Sequence, residues 1–245
     1  MEHMKIGDPV DIFITCYLRQ AFTEKTLSYL FYRTKHPYRL FIIDQGGNDE
    51  VLEVAKDNIF LRVKMIPNAG IHAAHNVSLA LAESEYFITC DNDIYAPELN
   101  PDWLTQMIAF MNERPDYAAI SMHPHIFIGA VGIKPDEKED VVERNMCGSV
   151  YRLMRREAVV KAGGWERVIR TSRNHEERTI CSRLQTAGYK VGIASRIRAY
   201  HPFGDNWGYP ENITPEMQGH NPELKDYVKS FDKIQAYNPK TWMPL

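Results

Sequence analysis

The segment Tyr86-Phe-Ile-Thr-Cys-Asp-Asn-Asp-Ile94 joins an apolar run to two carboxylates that stand one residue apart. Tyr86–Cys90 has the short, β-branched and aromatic character of a buried strand. In open α/β sheets, ligands lie beyond the carboxyl ends of the strands. A strand that ends in Asp91 and Asp93 therefore predicts a site for a hard divalent cation that partners substrate phosphates. An ordinary polar turn is the alternative, because Asp and Asn also favour turns.

The composition of the 245-residue chain is that of a globular protein, with 44% hydrophobic and 25% charged residues. Its length suits one sizeable α/β domain. No apolar run approaches the ~20 residues that span a bilayer, and Met1–Lys5 lacks an apolar signal core. The four cysteines are scattered without zinc spacing, at Cys16, Cys90, Cys147 and Cys181. These features predict a cytoplasmic protein with reduced thiols and no transmembrane segment.

Charge is unevenly distributed along the chain. The formal net charge of −3 argues against a generally basic nucleic-acid binder. Between Arg144 and Arg198, however, stand thirteen Lys or Arg residues and only four acidic residues. Such asymmetry is typical of a face for an anionic partner. The alternative is that these cations solvate helix surfaces or pair with the acidic Asp136–Glu143 segment.

Strands and helices alternate in the first half of the chain. Asn100-Pro101 predicts the cap and first residue of a further helix that ends near Arg114. This βαβ series predicts a single α/β domain with a mostly parallel, doubly wound sheet and helices on both faces. The predicted strands are Val10–Thr15, Arg39–Asp44, Leu61–Ile66 and Tyr86–Cys90, and the predicted helices are 21–34, 49–57 and 71–83.

The second half is less regular. Its pattern predicts a charged loop over Lys134–Asn145 and a helix over Glu176–Ala187 that Gly188 closes. Residues 204–245 are rich in Pro, Gly, Asn and aromatic residues, which predicts an irregular tail that wraps the domain. Glycine-rich Rossmann and P-loop fingerprints are absent from the sequence, which argues against nicotinamide and P-loop chemistry. The predicted strands are Tyr117–Met122, Gly148–Met154 and Lys190–Ala194.

Several further segments accompany the acidic pair in a specific order. They are Ile12-Phe-Ile-Thr-Cys-Tyr17, Leu40-Phe-Ile-Ile-Asp-Gln-Gly-Gly47, Asn68-Ala-Gly-Ile-His-Ala-Ala-His-Asn76, Gly163-Gly-Trp165, Glu176-Glu177 and the late His201. Over roughly residues 10–203 this set resembles the family 2 glycosyltransferases. The resemblance implies one GT-A domain over 1–245, inverting chemistry and a nucleotide-sugar donor. It implies a nucleotide-sugar-binding half (8–95), an acceptor-binding half (96–203) and the tail (204–245).

The resemblance also implies which residues contact the donor. Tyr17 would stack on the base, and Asp44 would hydrogen-bond a uracil-like edge, which favours a UDP-linked sugar. The alternatives are a core aromatic for Tyr17, a turn or cap carboxylate for Asp44 and plain turn chemistry for Asn68 and Gly70. The full donor set is Thr15, Tyr17, Asp44, Asn68, Gly70, Asn76 and Asp91.

The implied metal site is centred on Asp93. Asp91 would contact the ribose or the metal, and His201 would complete the shell of a Mn²⁺ or Mg²⁺ ion. An ordinary structural histidine is the alternative for His201. The cation would bind the diphosphate and neutralise charge on the leaving group. His75 stands where the family commonly has Arg, so it would supply less charge to the diphosphate.

The implied base is a carboxylate at the start of the helix predicted over Glu176–Ala187. The family's usual pair is Glu-Asp, and this chain has Glu176-Glu177. The alignment of this helix puts Glu177 on the base position, with Glu176 in reserve. The alternative is a capping box in which Asn174 is the cap and Glu177 the third helical residue.

The sequence-based hypothesis is a metal-dependent inverting glycosyltransferase whose acceptor binds near Gly164 and Trp165. The acceptor is a glycan or another hydroxyl compound. The positive charge of the second half of the chain also makes an anionic acceptor a candidate: a polyprenyl phosphate, a teichoic-like polymer or, less favoured, modified DNA. One alternative is a nucleotidyltransferase, but the turn Tyr17-Leu-Arg-Gln20 lacks the glycines that hold a triphosphate. Another is a nucleotide-sugar-binding protein without turnover, because Glu replaces Asp at the base position.

Overall fold

The computed structural model of the chain describes Lys5 and residues 7–125, 139–166 and 175–201. Within these residues the strands are β1 (Val10–Cys16), β2 (Tyr38–Asp44), β3 (Leu61–Lys64), β4 (Tyr86–Asp91), β5 (Tyr117–His125), β6 (Val141–Arg144), β7 (Arg152–Arg155) and β8 (Lys190–Tyr200). The α-helices are α1 (Gln20–Arg33), α2 (Asp49–Val54), α3 (Ile71–Leu81), α4 (Trp103–Glu113), α5 (Arg156–Lys161) and α6 (His175–Thr186). A 3₁₀ turn over Lys56–Asn58 follows α2.

The described strands form one sheet in the order β3-β2-β1-β4-β7-β5-β8-β6. The first four strands pair in parallel. β7 runs antiparallel to both β4 and β5, whereas β8 is parallel to β5 and antiparallel to β6. Parallel pairing therefore predominates as predicted, but the second half of the sheet is mixed. The α/β class, the single domain and the GT-A type of sheet are confirmed.

Helices cover both faces of this sheet. Strand side chains alternate between the faces, so Ile12 and Ile14 enter one core while Phe13 enters the other. The first core lies beneath α1, α2 and α4, and the second beneath α3, α5 and α6. Burial on both faces explains why the central strands are almost continuously apolar. All four cysteines are buried and free.

Three local predictions differ from the structure. The predicted cap at Asn100 is wrong, because the Asp102 carboxylate caps α4 and accepts the Leu104 N–H at 3.2 Å. The charged segment predicted as a loop contains β6, which pairs with β8. The predicted strand over Gly148–Met154 begins only at Arg152, because Tyr151 has a φ of 43° and cannot continue an extended strand.

Part of the basic excess in the second half is neutralised within the protein. Arg155 is buried and lies 3.3 Å from Glu85. Lys190 lies 3.3 Å from Glu143, and other basic residues of this half make further ion pairs with Glu176 and Asp140. Pairing with the acidic segment is therefore realised in part.

Among the described residues, no helix has both the length and the apolar character needed to cross a membrane. The predicted tail over 204–245 lies outside the described residues.

Candidate functional site

The carboxyl ends of β1, β2 and β4 meet at one edge of the sheet. In the strand register Thr15 lies opposite Asp91, and Cys16 lies opposite Asp44. The Thr15 hydroxyl is buried and has no hydrogen-bond partner among the described residues. Tyr17 follows β1 with 44% of its surface exposed. A hydroxyl without a hydrogen-bond partner and an exposed aromatic ring thus lie at the strand edge where ligands bind in such sheets.

Asn92, between the two predicted metal-binding aspartates, fixes their turn to α1. Its Nδ2 donates to the Leu18 carbonyl at 3.0 Å and to the Thr23 hydroxyl at 2.7 Å. Its own carbonyl accepts from the Thr26 hydroxyl at 2.9 Å. Because these bonds are buried, the turn that carries Asp91 and Asp93 has a defined orientation.

Asp93 lies buried between two basic side chains. Arg19 Nη1 donates to its Oδ2 at 2.5 Å, and His201 Nε2 lies 3.6 Å from its Oδ1. Burial acts to raise the pKa of Asp93, but His201 and then Arg19 outweigh it and lower the pKa to about 2. Asp93 is therefore an ionised carboxylate at neutral pH.

His201 reaches Asp93 because the end of β8 pairs with the chain that follows the acidic turn. Tyr95 and Tyr200 exchange two backbone hydrogen bonds of 2.9 and 3.0 Å. Their rings stack with centroids 5.6 Å apart. This bridge brings together Asp93 and His201, which lie far apart in the sequence, as the metal-site hypothesis requires.

Asp91 ends β4, and its N–H donates to the Ser149 carbonyl at 3.3 Å. Burial raises the pKa of Asp91 well above its usual value, and the carboxylates of Asp93, Glu177 and Glu176 raise it further. Asp91 thus lies in the field of three other carboxylates, and an added positive charge would relieve their mutual repulsion.

The described residues contain no group of three or more His, Cys, Asp or Glu side chains that could hold a metal ion by itself. The donors present fit a cation that keeps one or two carboxylates and takes its other ligands from substrate phosphates.

Glu176 is the acceptor at the centre of a buried network. Arg152 Nη2 donates to its Oε1 at 2.5 Å, and the Trp165 indole N–H donates to the same oxygen. The Ser149 hydroxyl lies 3.5 Å from Oε2, and His75 Nε2 lies 3.5 Å from Oε1. Although burial opposes ionisation, Arg152 and His75 lower the pKa of Glu176. Both oxygens are engaged, so Glu176 acts as an anchor for the start of α6.

Glu177 has a different environment from Glu176. It is half-buried, and its Oε1 accepts the Ser149 N–H at 3.1 Å. A Cβ at Gly148 would lie 2.9 Å from this oxygen, so a larger residue there would shift the carboxylate from its present position. Of the two predicted base candidates, Glu177 is the more accessible. Asn174, the cap in the alternative interpretation, lies outside the described residues.

Asp44 is buried and bonded within the protein. Its Oδ2 accepts from Arg62 Nε at 3.0 Å and from Nη2 at 2.5 Å, and its Oδ1 accepts the Gly46 N–H at 2.9 Å. The structure therefore shows the turn role of Asp44, and its contact with a base stays a prediction. Asn68 and Gly70 also show turn chemistry, since Asn68 Oδ1 accepts the Gly70 N–H at 2.7 Å.

The predicted residues Asn76, Gly164 and Trp165 lie where α3 contacts the loop after α5. Asn76 Oδ1 accepts the Trp165 N–H at 3.0 Å, and its Nδ2 donates to the Trp165 carbonyl at 3.1 Å. A Cβ at Gly164 would lie 2.8 Å from Asn76 Oδ1. The Trp165 side chain is buried. A cavity of about 780 Å³ adjoins this contact. Asn76 therefore supports the predicted acceptor loop, and its contact with the nucleotide stays a prediction.

The network around Glu176 also predicts acid sensitivity through His75. Burial lowers the pKa of His75 to about 4; Glu176 opposes the shift, whereas Arg152 and His72 add to it. Unfolded His75 binds a proton below pH ~6.5, and folded His75 does so only below about pH 4. Its contribution to stability is thus fully present above pH ~6.5 and is lost as the pH falls toward 4, by roughly 3 kcal/mol.

Urea unfolding between pH 4 and 7 measures this effect. The free energy of unfolding is expected to fall more steeply with acid in the wild type than in His75→Gln. His36→Gln removes an imidazole elsewhere and serves as the control. Equal pH dependence in wild type and His75→Gln would contradict the prediction.

Sequence reasoning missed the partners Arg19, Asn92, Ser149 and Arg152. A signal existed for Arg152, because an arginine inside an apolar strand needs a buried anion. A weaker signal existed for Arg19, which lies in the turn that follows the first strand.

One family model matches the chain. It is described as "Glycosyl transferase family 2" and covers residues 11–181, more than half of the chain. No curated protein matches the sequence.

Solved structures share the fold at low sequence identity. S. aureus TarS has 15% identity and a TM-score of 0.63, over 79% of this chain and 36% of the TarS chain. The mannosyltransferase PcManGT from Pyrobaculum calidifontis, in complex with GDP-Man and Mn²⁺, has 14% identity and a TM-score of 0.62, over 89% and 69%. GalNAc-T7, with UDP, GalNAc and Mn²⁺, has 12% identity and a TM-score of 0.66, over 94% and 52%. The present chain thus spans about a third of TarS and about half of GalNAc-T7.

Proposed function

Because the chain belongs to glycosyl transferase family 2, we propose that it transfers a sugar from a nucleotide-sugar, UDP-linked by preference, to an acceptor hydroxyl with inversion. The reaction takes place at the edge where β1, β2 and β4 end. The observation that carries this proposal is that the Ser149 backbone joins Asp91 to Glu177 at that edge, while His201 lies 3.6 Å from Asp93. Thr15 and Tyr17 border the same edge and suit contacts with a nucleotide base.

Asp93, His201 and Asp91 are the residues that would hold Mn²⁺ or Mg²⁺. A cation bound there would neutralise the negative charge that develops on the departing nucleoside diphosphate. The low pKa of Asp93 keeps this ligand ionised at neutral pH. The Mn²⁺ in the PcManGT and GalNAc-T7 structures agrees with this choice of cofactor.

Glu177 takes the proton of the acceptor hydroxyl. The acceptor oxygen then forms a bond to the anomeric carbon while the bond from that carbon to the diphosphate breaks, and the diphosphate leaves with the electron pair. The Ser149 N–H holds Glu177 Oε1 and so orients the carboxylate. Gly148 provides room for the side chain, which is one methylene longer than the usual Asp.

The acceptor proposed here is a glycan or another hydroxyl compound that binds beside the Gly164-Trp165 loop. Arg152 and Arg155 are buried and bonded within the protein. They therefore add nothing to the attraction of an anionic acceptor such as a polyprenyl phosphate or a teichoic-like polymer.

Thermal unfolding with UDP or GDP, in Mn²⁺ or in EDTA, tests the donor site. A nucleoside diphosphate at about 100 times its Kd stabilises the folded state by about 2.7 kcal/mol, which raises the Tm of the wild type by several degrees. We expect EDTA or Asp93→Asn to abolish this rise in Tm. EDTA removes the cation that would bind the diphosphate, and Asp93→Asn removes the carboxylate that would hold that cation. Asp116→Asn is the matched control. Asp116 lies just before β5 and forms a surface ion pair with Lys190.

Two outcomes would contradict the proposal. The first is nucleotide stabilisation that persists in EDTA and in Asp93→Asn. The second concerns the product of turnover, because release of pyrophosphate instead of nucleoside diphosphate would identify a nucleotidyltransferase.

A further inference from the structure

Arg19 bonds to Oδ2 of Asp93, the central residue of the proposed metal site. We propose that Arg19 is a built-in counter-ion of Asp93 that makes cation binding depend on the nucleotide. Without nucleotide, Arg19 competes with the cation for Asp93. When a diphosphate binds, it attracts the guanidinium, and Asp93 becomes available to the cation. This inference rests on the proposed function and assigns Arg19 as a further donor-binding residue.

The position of Arg19 is fixed by its backbone. Leu18 and Arg19 have φ values of 53° and 62°, a left-handed conformation that is unfavourable for residues with a Cβ. Hydrogen bonds hold this turn in place, since the Leu18 N–H donates to the Gly46 carbonyl at 2.8 Å and the Leu18 carbonyl accepts from Asn92 at 3.0 Å. Arg19 is therefore tied to the same Asn92 that orients Asp93.

The charges around Asp93 explain why the guanidinium matters. The Asp93 side chain is only 6% exposed, and Arg19 and His201 approach different oxygens of it. A guanidinium stays charged at every physiological pH, so Arg19 neutralises Asp93 permanently, whereas an imidazole does not. A cation that bonds Oδ2 must first displace Arg19. The cost of that exchange weakens cation binding to the nucleotide-free protein.

A diphosphate reverses this competition. The Arg19 side chain is 23% exposed, so it is accessible from the outer side of the site. The planar fork of a guanidinium matches phosphate oxygens. New contacts of a diphosphate with both Arg19 and the cation would thus compensate for the loss of the Arg19–Asp93 pair. By linkage, the factor by which the diphosphate tightens cation binding equals the factor by which the cation tightens diphosphate binding.

Manganese titrations of the full chain, without nucleotide and with saturating UDP or GDP, test this inference. Electron paramagnetic resonance of free Mn²⁺ gives the Kd in each state. Without nucleotide, Arg19→Gln is expected to bind Mn²⁺ about tenfold tighter than the wild type, because a charge-assisted hydrogen bond no longer opposes it. The factor by which the nucleotide tightens Mn²⁺ binding is expected to fall at least as much. Arg114→Gln removes a comparable arginine, paired with Glu113 at the end of α4, and is expected to match the wild type.

The titrations separate failure of this inference from failure of the proposed function. Unchanged or weaker Mn²⁺ binding by nucleotide-free Arg19→Gln, together with loss of binding in Asp93→Asn, would overturn the role of Arg19 alone. Full Mn²⁺ affinity in Asp93→Asn would refute the metal site, and this inference with it.

Discussion

Replacing Glu177 by Gln is expected to lower kcat for glycosyl transfer about 10²- to 10⁴-fold, the usual contribution of a general base. The amide oxygen of Gln can still accept the Ser149 N–H that now holds Glu177 Oε1. The geometry of the site therefore survives, and only the basicity is lost. Donor binding, measured as the Tm rise with nucleoside diphosphate and Mn²⁺, is expected to be unchanged.

Glu176→Gln is the matched control, because the two residues are neighbours on α6 with opposite environments. The Glu176 carboxylate is buried on Arg152 and Trp165, so its neutralisation is expected to lower stability rather than the basicity of the site. The assay is release of nucleoside diphosphate under saturating donor and acceptor. Full turnover by Glu177→Gln would exclude Glu177 as the base.

Much of the fold follows from patterns that act over short distances. The strands β1, β2 and β4 are apolar on both faces, and their turns and helix starts mark the boundaries well. The direction of β7 does not follow, because an apolar run is the same in a parallel and in an antiparallel strand. The late start of β7 is also not predictable, because the left-handed residue before it is Tyr151 and not a glycine, which would have indicated such a conformation.

The candidate site divides in the same way. The acidic pair and Glu177 are recognisable by residue type and position, since a strand end or a helix start decides where they point. Their partners are not, because Arg19 contacts Asp93 and Arg152 contacts Glu176 across 74 and 24 residues of chain. The sequence shows how many charged residues there are but not which of them pair. The role of the arginine excess in the second half was therefore ambiguous, and the structure shows that Arg152 pairs with the buried Glu176.

Arg152→Met is expected to lower the free energy of unfolding by about 3–5 kcal/mol, because it leaves Glu176 buried without its cation. Both side chains of this pair are almost fully buried. For a chain of this length the loss corresponds to a fall in Tm of about 10 °C. Urea and thermal unfolding measure the effect. Arg114→Met, which breaks a surface pair, is the control and is expected to change stability by less than about 1 kcal/mol.

The double variant Arg152→Met/Glu176→Met separates the ion pair from the packing around it. Apolar residues that replace both members of a buried pair are often neutral or stabilising, so the double variant is expected to recover most of the loss. Additive losses in the double-mutant cycle would contradict a specific coupling between the two charges. If stability returns but turnover does not, the pair serves catalysis by fixing the start of α6, and with it the approach of Glu177 to the acceptor.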